Sequence, residues 1–137
     1  MSRITKLFLV VAVAALALAA SAVAVSNAHF VGTPQINISG NTVTVSGKVA
    51  GLGDVDEITV TVSGDAACIN PGSKKPQAAN KESFSESGVT PVQNGKAIFS
   101  QSLTATFQPD CTPPMSVQWS NIVVTVTADD GTFLQFP

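Results

Sequence analysis

From Gln35 onward the chain is dominated by a period of two, and that alternation restricts it to strands. Gln35 to Ser39 and Thr42 to Val49 alternate apolar with polar residues about Gly40-Asn41, a pattern that predicts a hairpin with Val43, Val45 and Val49 on one face. After the glycine-rich break Ala50-Gly51-Leu52-Gly53-Asp54, Ile58, Val60 and Val62 alternate with Thr59 and Thr61 in a third strand. A fourth is expected near Phe84 to Val92. Asn94-Gly95 then turns the chain into Ala97 to Phe107, where Phe99, Leu103, Ala105 and Phe107 point one way.

Between these runs, Ile69 to Glu82 mixes proline, glycine, asparagine and lysine with little periodicity and reads as a long loop. Gln108 to Met115 carries Pro109, Pro113 and Pro114 and reads as a connection, because proline donates no ladder hydrogen bond. In Ser116 to Ala128, Val117 and Trp119 share one parity while Ile122, Val124 and Val126 share the other. The switch predicts a β-bulge near Ser120-Asn121. Asp129-Asp130-Gly131 is a turn before a terminal strand, Thr132 to Phe136. About seven strands with turn signals every ten residues or so predict an all-β antiparallel sandwich of immunoglobulin-like architecture.

Ahead of this domain, Leu7 to Val25 is an unbroken block of apolar and small residues behind Arg3 and Lys6. Such a segment is expected to be a secretory signal peptide, 1–28 at most, cleaved after Ala22, Ala24 or Ala28, with 29–137 as one domain. Retained, the same block would anchor the protein in a membrane. Losing Arg3 and Lys6 leaves five lysines against nine acids, a formal charge of −4, and no arginine. Nucleic-acid binding rests on Lys/Arg clusters that neutralise phosphates, so this balance argues against DNA or RNA as a partner.

Cys68 and Cys111 are the two cysteines of a chain expected to be exported, and they are expected to form one disulfide. Closing a loop of that length is worth about 4 kcal/mol in the chain-entropy description. Neither a CxxC spacing nor a neighbouring histidine points to a metal or redox role.

Chemistry-bearing residues are few. His29 is the one histidine; as a first residue after cleavage it would offer an amine and a ring nitrogen to copper, but a two-histidine brace cannot be completed, and it is expected simply to begin the first strand beside Phe30. A serine hydrolase would need a base beside its nucleophile, and no triad can be assembled. Asp54, Asp56, Glu57, Asp129 and Asp130 lie in two loops that, if they share one end of the sandwich, would gather carboxylates suited to calcium, although no Asp-x-Asp-x-Asp-Gly spacing is present. No cofactor is expected. Aromatic platforms for sugars are scarce: there is no tyrosine, and Trp119 is expected in the core over the disulfide. Asn37-Ile38-Ser39 matches a glycosylation acceptor in a host with that machinery.

Taken in order, His29-Phe30, Gly47 with Ala50-Gly51-Leu52-Gly53, Cys68-Ile69-Asn70-Pro71-Gly72, Asn94-Gly95, and Cys111 with a following proline and Trp119 resemble a family of small secreted proteins from bacteria and other microbes. The likeness spans nearly all of the mature chain. It departs from the family where Thr112 separates Cys111 from proline, and where Lys74-Lys75 stand in a loop usually richer in proline and glycine. The resemblance implies secretion and a disulfide-linked β fold, and brings no catalytic residues.

The sequence therefore predicts an exported, non-catalytic structural or binding domain with a protein or glycan partner. Its contact surface is expected on the loops around Asn70, Lys74, Lys75 and Lys81 and around Gln108 to Met115, coupled through the cysteines. The alternative is a calcium-dependent or carbohydrate-binding factor, or a small enzyme using the loop carboxylates. Oligomeric state is left open.

Overall fold

The computed structural model describes residues 27–72 and 81–137; the apolar block Leu7 to Val25, and Lys74 and Lys75 of the expected contact loop, lie outside them. The described residues form eight strands: β1 (His29–Phe30), β2 (Gln35–Ser39), β3 (Thr42–Ala50), β4 (Glu57–Ile69), β5 (Lys81–Pro91), β6 (Ala97–Thr104), β7 (Ser116–Thr127) and β8 (Phe133–Phe136). One sheet has β3 at its centre, with β6 on one side and β2 and β1 in succession on the other. The second runs β5-β4-β7-β8, all antiparallel. Seven of these strands keep the immunoglobulin-like wiring, with the strand after β4 paired to β4 instead of joining the first sheet.

Burial follows the alternation. Val43, Val45 and Val49 of β3, Ile58, Val60 and Val62 of β4, Phe99 and Leu103 of β6, and Val124 and Val126 of β7 form one buried cluster between the sheets. The β2–β3 hairpin closes through two residues, with Gly40 at φ 56°, a conformation that costs glycine nothing. At Gly51 (φ 74°) the backbone of Asn27 passes where a Cβ would sit, so this break also seats the start of the domain. Ala28 packs against the main core. On the opposite side, a Cβ on Gly88 of β5 would run into the Gln101 amide of β6, which brings the edges of the two sheets together.

Three expectations are corrected. The third strand continues past Val62 to Ile69, through Gly64, Asp65, Ala66 and Ala67, whose small and polar side chains hide the alternation. The expected loop of Ile69 to Glu82 is correspondingly shorter, since Ile69 ends β4 while Lys81 and Glu82 open β5, Lys81 opposite Ala67. Finally, β6 ends at Thr104, although Ala105 and Phe107 still bury their side chains beyond it. The predicted bulge is present: Ser63 pairs with Val123 and Asp65 with Ser120, so Asn121 and Ile122 oppose Gly64 alone. Asn121 takes φ 53°, which asparagine tolerates better than most side chains.

Candidate binding surface

β4 is 13 residues long, about 40 Å at the rise of a strand, and separates two loop-bearing ends. At its far end, Cys68 is bonded to Cys111 with the α-carbons 5.7 Å apart. The bridge joins the end of β4 to the proline-rich connection between β6 and β7, and so does not cross between sheet centres. Beneath it lies a second buried cluster of Ala66, Cys68, Ala105 and Phe107, with Phe84, Cys111, Met115, Val117 and Trp119 packed around it. Phe84 meets Phe107 and Trp119 edge-on, with ring centroids 6.0 and 6.2 Å away. These pairings suit the quadrupoles of the rings.

Trp119 packs on the disulfide cluster as expected, but it is half-buried. Its indole N–H donates to the carbonyl of Gly40 at 3.1 Å, linking β7 to the hairpin turn of the other sheet. The same turn is held from the other side, where the Ala105 amide donates to the Asn41 carbonyl at 2.8 Å. Three irregular segments thus meet at this end: the β2–β3 turn, the chain leaving Cys68, and the connection through Cys111. Asn70 is exposed just beyond β4, and Lys81 is exposed at the start of β5. Of Asn70, Lys74, Lys75 and Lys81, these two are among the described residues, and both fall at the bridged end with the Gln108 to Met115 connection.

A polar latch on the outer face of the second sheet was not legible beforehand. The Asp65 carboxylate accepts from Ser83 Oγ at 2.6 Å and from Asn121 Nδ2 at 3.0 Å. Those bonds, that from Asn121 foremost, hold its pKa below the usual carboxylate value, with a smaller contribution from the Lys81 charge. The latch fixes the bulge against β4 and β5. A serine and an asparagine two strands apart carry no sequence signal that would pair them with Asp65.

At the opposite end the acidic loops do come together. Asp54 and Asp56 face Asp129 and Asp130 across an open groove of about 430 Å³, whereas Glu57 belongs to β4, opposite Pro91, and does not line it. Asp130 is already engaged: its Oδ1 accepts from the Thr132 amide at 2.9 Å and the Thr132 hydroxyl at 2.5 Å, which lowers its pKa. This is a local turn lock of the kind aspartates commonly make. Among the described residues, no three of His, Cys, Asp and Glu are placed to share a metal ion. A neighbouring groove, lined in part by Gly51, Gly53, Asn94, Gly95 and Lys96, places one amine beside Asp54 and Asp56. His29 opens β1 opposite Ala50, with Nδ1 2.8 Å from the Asn27 carbonyl.

No family model matches the chain, and no curated protein does. Among solved structures, the chain is similar to the solution structure of CsgH from R. palustris, with 12% identity over 79% of this chain and 87% of that one, and a TM-score of 0.38.

Proposed function

We propose that the chain is an exported, non-catalytic domain that serves as a structural or binding element outside the cell or at its surface, and that the bridged end is its contact surface. The observation that carries this reading is the Cys68–Cys111 bond, which ties two irregular segments to one packed cluster. Ordering loops on binding costs free energy, and loops fixed beforehand avoid part of that cost. A structural disulfide also fits an oxidising compartment, in keeping with Leu7 to Val25 as an export signal. The resemblance of the Cys68 to Gly72 motif to secreted microbial proteins implies the same location.

The five lysines of the mature chain provide the test. Lys81, with Lys74 and Lys75 near it in sequence, belongs to the bridged end, while Lys48 and Lys96 line a groove with Thr90, Pro91 and Ile98 at the other end. Amine acetylation is measured on the free protein and on protein bound to envelope fractions of its source cells. Protection confined to Lys74, Lys75 and Lys81 supports the assignment. Protection at Lys48 and Lys96 instead, or no retention by the envelope and no protection anywhere, overturns it.

A further inference from the structure

Sheet edges expose unpaired backbone groups, and most proteins blunt them. Three edges here are blunted. β5 turns Glu82 and Glu86 toward the side that continues the core and ends in Pro91. β6 lies against β5 through Gln101. β8 is four residues long and is followed by Pro137. The half of β7 that β8 leaves unpaired runs into the bulge at Asn121, which bends it.

Pro34 precedes β2, but within Gln35–Ser39 there is no proline, charge or bulge. All five of its residues are exposed, and no charged residue occurs from Phe30 to Gly47. Ile36 and Ile38 sit opposite Val45 and Val43, which are fully buried, so both isoleucines belong to the core face. Yet they are 38% and 51% exposed, because the second sheet does not extend over them. The hairpin turn also determines which backbone groups are free. Residues flanking a two-residue turn form a hydrogen-bonded pair, here Ser39 and Thr42, so Ser39, Asn37 and Gln35 bond to β3. The N–H and C=O of Ile36 and Ile38 therefore point outward.

We propose that two copies of the chain pair through β2, antiparallel about a two-fold axis at Asn37. In that register Ile36 lies opposite Ile38 of the second copy, and the outward N–H and C=O groups of each meet those of the other. Gln35 faces Ser39 of the second copy and Asn37 faces its own equivalent. The four isoleucines then share one face, the polar side chains share the other, and no charge opposes another. The contact is isologous, as closed homodimers require. A five-residue strand pair buries less than the roughly 1,000 Å² typical of stable interfaces, so the dimer is weak and concentration-dependent.

Sedimentation of the mature protein, from about 5 μM to about 1 mM, is expected to show the mass rising toward twice the monomer value. Ile38→Lys, an exposed site, is expected to keep the melting temperature and stay monomeric. Asn37→Cys is expected to give a covalent dimer on mild oxidation, since a non-hydrogen-bonded pair places α-carbons about 4.5 Å apart, within disulfide range. Gln35→Cys should not cross-link alone but should do so when mixed with Ser39→Cys. A monomer at about 1 mM, a dimer undiminished in Ile38→Lys, or equal cross-linking at 35 and 37 would overturn the proposal.

Discussion

Gly47 shows how one missing side chain organises the core. It pairs with Phe99 across β3 and β6, and a Cβ there would stand 2.9 Å from the ring's Cζ. The ring is buried and lies over the glycine, so it has little room to give way. Gly47→Ala is accordingly expected to cost about 1–3 kcal/mol, the usual range for overpacking. Gly72, where a Cβ would meet open space and φ is ordinary, supplies the control: Gly72→Ala should leave chemical denaturation midpoints unchanged. Sequence reading reached Gly47 only as part of a motif. Nothing in the alternation of Thr42 to Val49 says that a ring from another strand occupies that gap.

Among elements, β3, β6 and the second half of β7 were readable because one face of each is buried and the other faces solvent, so composition mirrors geometry. β4 and β5 were readable only in part. β4 ends in small residues that need no bulk where the bulge and Trp119 crowd against Gly64, and β5 is an edge with little to bury. The bulge itself was legible from a parity change, but the carboxylate that secures it was not. Asp65 gives that security a pH dependence. Its folded pKa is depressed, so the stabilisation is complete above the unfolded value of about 3.9 and is lost as pH falls through the lower folded value. The expected result is that Asp65→Asn melts below the parent at pH 6, and that the gap closes as pH is lowered beneath about 4. A gap that persists unchanged in acid would mean the latch does not depend on the charge.

At the scale of the molecule, the start of the domain bears on where the proposed export signal would be cleaved. Ala28 packs on the core, and the Asn27 backbone fills the space over Gly51 and meets His29. Cleavage after Ala28 would remove both residues, whereas cleavage after Ala22 or Ala24 keeps them. Intact mass of the exported protein is therefore expected to correspond to a first residue of Val23 or Val25, with 2 Da missing for the joined sulfurs. A first residue of His29 would refute this. The fold class was legible as a whole, since alternation and turns specify sheets. The two ends were legible only as loops, because which loops meet depends on strand order, and strand order leaves no local mark in the chain.

The bond between Cys68 and Cys111 also changes what hydrolysis can do. Its two sulfurs span 43 positions of the chain, a stretch that holds β5 and β6 entire. A protease that nicks that stretch anywhere ahead of β6 produces two fragments still tethered to each other, each contributing strands to both sheets. Such a nick would be invisible on a gel until a reductant separated the pieces.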